Sequence, residues 1–222
     1  MTDPDRLLES QREYYDLRAP DYGDASRPDR KHSGVAEAGW GNELIGEFAP
    51  RGAVLELACG PGVYTADLAE HAESVTAVDA SARMLARARA AILDPKITFV
   101  RADIFTWEPD RTYDAVFFGA WLSHVPLERF DDFWDLVRSC LAPEGRVAFI
   151  DEDERAERYE FERSAGERPV ARRRLADGRE FDIVKVFWRA DDLEQRLRSS
   201  GWDISVRSVG ESYLFGMGRR YG

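Results

Sequence analysis

The chain has 222 residues, of which 44% are hydrophobic and 12% aromatic, a composition that excludes disordered, collagen-like and disulfide-stapled chains. Its 42 acidic residues outnumber 31 basic ones, and the net charge of −11 repels a phosphate backbone, so nucleic acid is not an expected partner. No apolar run nears the ~20 residues that span a bilayer, Met1-Thr2-Asp3-Pro4-Asp5 carries no export signal, and Cys59 and Cys140 form no disulfide framework; the expectation is a cytoplasmic protein without a membrane partner.

At about 100–200 residues per domain, the length predicts one domain over 1–222. Leu7, Leu8, Tyr14, Tyr15 and Leu17 recur at helical spacing over residues 4–17, with Pro4 suited to a first turn. Arg18–Gly34 is polar and punctuated by Pro20, Gly23 and Pro28, a loop or lid; a second helix is predicted over Val35–Phe48. Residues 1–50 thus read as an N-terminal cover.

From Ala53 onward, short apolar runs alternate with helical patterns. Strands are predicted at Ala53–Leu57, Ser74–Val78, Ile97–Val100, Tyr113–Phe118 and Arg146–Ile150, with helices at Tyr64–Ala72, Arg83–Leu93 and Phe130–Leu141. The runs are apolar nearly throughout, as in strands buried on both faces, and the alternation implies right-handed crossovers in a parallel, doubly wound α/β sheet over 51–151. Residues 152–222 complete the domain. Asp151–Arg174 is a dense mixture of charges, read as a solvated helix or loop. Arg174–Trp188 is a hairpin around Asp177-Gly178, a helix runs over Asp191–Leu197, and Ile204–Val209 and Tyr213–Phe215 pair antiparallel.

The most informative stretch is Glu56-Leu57-Ala58-Cys59-Gly60-Pro61-Gly62, where a buried strand enters a Gly-x-Gly turn and a helix follows. Glycine lets the backbone bend and come within contact of a ligand. Thr65 stands where a dinucleotide site has its third glycine, and Glu56 would repel a pyrophosphate, which argues against a nicotinamide-dependent oxidoreductase. Glu56 instead suits an ammonium group or orders the loop. Asp79 ends the next strand, 23 residues after Glu56, where a ribose diol is held, and Asp103 ends the third, beside an adenine amine. Each acid alone is equally a helix cap.

Together these residues, with Tyr113-Asp114-Ala115-Val116 and Leu141-Ala142-Pro143-Glu144-Gly145-Arg146-Val147, resemble the class I S-adenosylmethionine-dependent methyltransferases over about Tyr14–Ile150. The resemblance implies a Rossmann-like seven-stranded sheet of order 3-2-1-4-5-7-6 with strand 7 antiparallel, and S-adenosyl-L-methionine as cofactor. The residues it places around the cofactor are Tyr14, Arg18, Glu56, Ala58, Cys59, Gly60, Gly62, Asp79, Ala80, Met84, Ala102, Asp103, Ile104 and Gly119. Tyr14 and Arg18 are equally read as packing residues of a cover helix. The chain also resembles actinobacterial enzymes that methylate saccharides or natural products.

Methyl transfer needs an aligned nucleophile and, for a hydroxyl, a proton acceptor. His124, in the loop after the fourth strand, is the candidate general base because imidazole titrates near neutrality; its alternative is a backbone-bonded loop residue. Tyr22, His32, Trp121, Asp151 and Glu152 are the candidate acceptor contacts. No metal is expected: Mg²⁺ at Asp151-Glu152-Asp153-Glu154 is the weaker reading beside a solvated helix start. The expected reaction is O-methylation of a small polar acceptor, a saccharide or secondary metabolite. The alternatives are N-methylation and S-adenosylmethionine binding without turnover.

Overall fold

The Val- and Phe-rich segments form strands because their residues alternate between two apolar layers. The computed structural model describes residues 4–23, 40–159 and 169–221. In it β1 (Ala53–Leu57), β2 (Ser74–Asp79), β3 (Ile97–Arg101), β4 (Tyr113–Gly119) and β5 (Leu141–Glu152) run parallel in the order β3-β2-β1-β4-β5. One face carries Val54, Val75, Phe117 and Ile150 against α2 (Trp40–Phe48), α3 (Thr65–His71) and α4 (Ala82–Ala91). The other carries Leu55, Val116, Phe118 and Phe149 against Phe130, Phe133 and Trp134 of α5 (Phe130–Cys140) and Leu193 and Leu197 of α6 (Ala190–Ser199). Every residue of β1 is buried, which is why it reads as a continuous apolar run.

A small antiparallel pair, β6 (Val170–Arg174) and β7 (Glu180–Val184), stands apart from this sheet. The large sheet closes with β8 (Trp202–Val209) and β9 (Tyr213–Arg220), β9 lying antiparallel between β5 and β8. Counted within the sheet, the order is the expected 3-2-1-4-5-7-6.

Several boundaries differ from expectation. The helix predicted over Val35–Phe48 is observed from Trp40, residues 35–39 being outside those described. β5 begins at Leu141 and not Arg146, crossing an irregularity between its pairings with Tyr113 and Ala115. β7 stops at Val184 and not at Trp188. β9 runs on to Arg220 through two glycines that look like breaks. They are required there: a Cβ at Gly216 would stand 2.2 Å from the Phe149 ring, and one at Gly218 2.0 Å from the Asp203 carbonyl oxygen. The acidic run from Asp151 is not a solvated helix start: Asp151 and Glu152 end β5, Asp151 and Asp153 are buried, and a 3-10 segment follows at Glu154–Tyr159.

The N-terminal helix α1 (Pro4–Arg18) packs outside both layers. Its Tyr14 is buried with Ala171, Leu175 and Ile183, and its Leu7 with Val184 and Val186. Helix and hairpin together cap the carboxyl edge of the parallel strands. No helix among the described residues is long and apolar enough to cross a membrane.

Candidate functional site

The turn after β1 combines three left-handed residues, Ala58 (φ 53°), Gly60 (φ 54°) and Gly62 (φ 89°), and so reverses within a few residues. The glycines serve different ends. A Cβ at Gly62 would meet Ile92 Cδ1 at 2.6 Å, whereas one at Gly60 would meet nothing within 4 Å among the described residues. The surface above Gly60 is therefore free for a ligand to approach the backbone. Cys59 is buried in the turn, its amide donating to the Val78 carbonyl at 3.0 Å, and burial pushes its thiol up, away from any nucleophilic role.

Asp79, at the end of β2, ties this turn to the next one. Its two carboxylate oxygens accept from the amides of Gly60 and Ser81, both at 2.8 Å. Burial raises its pKa, and the two amides oppose that rise. Each oxygen keeps a further lone pair. Ala80 and Met84 follow in the same turn, Met84 N donating to the Ser81 cap at 3.0 Å, and Ala102 N bonds the Asp79 carbonyl at 3.1 Å. Asp103 accepts from Phe105 N at 3.1 Å and pairs with Arg12 of α1; Ile104 beside it is buried.

Glu56 is tied to the helix that follows the turn. It is 1% exposed, and its carboxylate accepts from Thr65 Oγ1 at 2.6 Å, anchoring the start of α3. Burial pushes its pKa up to about 8, partly opposed by the Thr65 hydroxyl. Thr65 thus uses the third-glycine position for a hydrogen bond. Gly119, ending β4, exists for packing, because a Cβ there would stand 2.2 Å from the Tyr64 ring.

Helix α1 is fastened along this edge. Asp16 accepts from Ser81 Oγ at 2.7 Å and Arg83 N at 3.2 Å, while Arg87 donates to the carbonyls of Ala19 and Tyr22. Gln11 donates to the His124 carbonyl and accepts from Val184 N, both at 3.1 Å. Tyr14 is a fully buried packing residue against the hairpin; its neighbour Tyr15, which the sequence did not single out, faces the site. Arg18 is buried with its guanidinium over the rings of Tyr14 and Tyr22.

His124 lies in a 3-10 turn after β4, 6% exposed, with both ring nitrogens engaged. Nδ1 stands 2.8 Å from the Val184 carbonyl and Nε2 2.9 Å from the Tyr15 hydroxyl. A carbonyl only accepts, so Nδ1 carries the hydrogen and neutral Nε2 accepts from Tyr15. Burial holds the imidazole well below its ordinary range, helped by the positive charges of Lys185, Arg173 and Arg18 against the opposing pull of the Val184 carbonyl. The charges that depress it are cations, and the nearest of them in the hydrogen-bond network, Lys185, is itself paired with Glu152.

Lys185 was not legible as a site residue, yet it is 5% exposed at the heart of the region. Its Nζ donates to Ser123 Oγ at 3.0 Å and pairs with Glu152. Asp151 is buried and accepts from Ser123 N at 3.1 Å and Glu152 N at 2.8 Å, so it ties the turn carrying His124 to the end of β5. Trp121 is half-buried beside Phe105 and Phe133; Tyr22 lies half-buried under Arg18; His32 lies outside the described residues. Among the described residues no group of three or more His, Cys, Asp or Glu is placed to hold a metal.

Residues 54–145 match the family model described as a methyltransferase domain. The trans-aconitate 2-methyltransferase of Escherichia coli O139:H28 (strain E24377A / ETEC) is 40% identical over 97 residues, which cover 43% of this chain and only 37% of that enzyme. Among solved structures, DhpI in complex with SAH is 40% identical, covers 97% of each chain and superposes with a TM-score of 0.82; the DhpI-SAM-HEP complex gives 0.84. The 1,6-didemethyltoxoflavin-N1-methyltransferase of Burkholderia thailandensis, at 17% identity and a TM-score of 0.68, shares the fold.

Proposed function

The chain belongs to the class I S-adenosylmethionine-dependent methyltransferases, and from that premise we propose that it carries the methyl group to an oxygen of a small anionic acceptor. S-Adenosylmethionine, its cofactor, supplies an electrophilic methyl carbon on a sulfonium. The residues at the carboxyl edge fit it: Gly60 leaves the space over the turn open, and the remaining lone pairs of Asp79 suit two ribose hydroxyls.

The observation that carries the acceptor class is the cationic surround of His124. Lys185 is buried with its ammonium 3.0 Å from Ser123 Oγ, one residue from His124, and Arg173 and Arg18 add positive charge around the same ring, which favours a bound anion there. An anionic oxygen needs no proton removed before attack. The chain's task is then to hold it in line and keep water out, and alignment alone supplies several kcal/mol. Attack on a sulfonium by an anion also cancels two charges, which a buried site favours over water. The likeness to a trans-aconitate methyltransferase, whose substrate is a tricarboxylate, supports this class.

A hydroxyl acceptor is the second reading, favoured by the Tyr15–His124 chain. There the acceptor's proton would pass through the phenol to Nε2, with His124 as general base, an aid of ~10²–10⁴-fold. The buried, cation-flanked imidazole takes up a proton reluctantly, which places this reading second. Trp121 and Tyr22 line the acceptor side in either case.

The test is transfer of labelled methyl to a panel of small carboxylates, trans-aconitate among them, and of neutral polyols and saccharides. Carboxylate esters formed at a rate flat from about pH 6 to 8 are expected, because the acceptor is already ionised there. Methyl ethers formed only from neutral hydroxyls, faster at higher pH, would put the hydroxyl reading in its place.

A further inference from the structure

Two acids meet the turn that carries His124, and they are held differently. Asp151 is fixed by two backbone amides. Glu152, the last residue of β5, is held through its carboxylate by Lys185. The side chain of Lys185 is 6% exposed and that of Glu152 22%. Lys185 also donates to Ser123 Oγ, one residue from His124, so its ammonium belongs to the cationic surround of that ring.

A buried ammonium without a partner is strongly unfavourable, so the fold must place an anion on Lys185 whether or not an acceptor is present. We infer that Glu152 is a built-in stand-in for the acceptor's anionic group, occupying Lys185 until that group displaces it. This rests on the anionic-acceptor reading above and adds a specificity device to it.

The exchange is asymmetric in a useful way. Glu152 sits on the more exposed side of the pair, at a strand end, and its carboxylate can turn into water. Lys185 has no such route. When a carboxylate arrives, Lys185 trades one anion for another and remains paired throughout. A neutral acceptor offers no trade: either Glu152 stays and holds the position, or Lys185 loses its direct ion pair and keeps only the more distant charge of Asp151, whose carboxylate is tied to two amides. Glu152 thereby discriminates against neutral acceptors by competition, a repulsive element that a list of favourable contacts would miss.

The experiment titrates malonate, a plain dicarboxylate probe, calorimetrically into the full-length enzyme saturated with S-adenosylhomocysteine. The proteins compared are wild type, Glu152→Gln, Lys185→Met and the double variant. Thermal melts and S-adenosylhomocysteine affinity confirm that each is folded. Removing the internal competitor is expected to tighten malonate by at least about tenfold, and Lys185→Met is expected to abolish that gain in the double variant. If Glu152→Gln binds malonate no more tightly than wild type, including no binding by either, Glu152 is not a stand-in. If that happens while Lys185→Met alone loses malonate, the anion site survives and only the competition falls. If the gain persists without Lys185, the anion sits elsewhere and both readings fall. Should Glu152→Gln not fold, Glu152→Ser is measured against the same criteria.

Discussion

The Tyr15 hydroxyl and His124 Nε2 stand 2.9 Å apart, and with the Val184 carbonyl at Nδ1 this fixes the imidazole as the neutral Nδ1–H form. Burial keeps the ring neutral and the Val184 carbonyl sets its tautomer, while one helix of the cover supplies the donor to the remaining nitrogen of a residue more than a hundred positions away.

A pH dependence of stability follows. The folded pKa of His124 lies below that of the unfolded chain, so below about pH 6.5 the unfolded state takes up a proton that the folded state refuses. Stability from this group is lost as pH falls from 7 toward 5. The stability difference between wild type and His124→Asn, measured by urea unfolding, should shrink over that window. A difference that stays constant would show that the ring is not held neutral.

Glu56 works in the opposite sense. Its folded pKa of about 8 exceeds the ordinary carboxyl value of 4.5, so between those pH values the folded state keeps a proton that the unfolded state loses. Stability from this group falls as pH rises, by roughly 1.4 kcal/mol per unit while the folded carboxyl stays protonated. Glu56→Gln removes that dependence, so relative to wild type the variant should gain stability from pH 5 to pH 8. Parallel unfolding curves at both pH values would contradict it.

The two glycines of the turn separate folding from binding. Gly60→Ala meets no atom and costs about 1–2 kcal/mol for its left-handed backbone, yet its methyl enters the open space above the turn. The protein should fold and bind S-adenosylhomocysteine markedly more weakly. Gly62→Ala adds a 2.6 Å clash with Ile92 to the same kind of strain and should lose several kcal/mol of stability. Calorimetry and denaturant melts on both variants check the division.

Ala49, directly after α2, adopts φ 45° while its amide closes the helix onto Ile45 at 2.7 Å. That is the position where glycine ends helices without strain. Ala49→Gly should stabilise the protein by about 0.5–1 kcal/mol, with cofactor affinity unchanged. A lower unfolding midpoint would mean that the methyl contributes packing there.

The sheet was legible because strands buried on both faces must be apolar throughout, and Glu56, Asp79 and Asp103 mark the ends of three of them. The turn between β1 and α3 was legible through its two glycines, whose left-handed backbone the structure shows. Lys185 was not, since a lysine after a charged hairpin reads as surface until the hairpin is folded against Ser123 and Glu152. The resemblance singled out Tyr14 and passed over Tyr15; one step of helical rotation sends the first into the hairpin and the second to His124. Asp79, singled out for a ribose, is also a structural tie, because its carboxylate joins the amides of Gly60 and Ser81.

The bonds that Gln11 makes to His124 and Val184 close loops of 113 and 173 residues. Contacts so distant along the chain are slow to form, and most of the polypeptide must be in place before α1 has anything to dock on. The doubly wound sheet makes its neighbour pairings over far shorter separations. Folding should therefore deliver the sheet first and the cap last, so that a chain with its sheet complete still lacks Tyr15 at His124. Competence would then lag behind compactness: in a refolding experiment the buried tryptophans of the sheet layers should report native packing before methyl transfer begins.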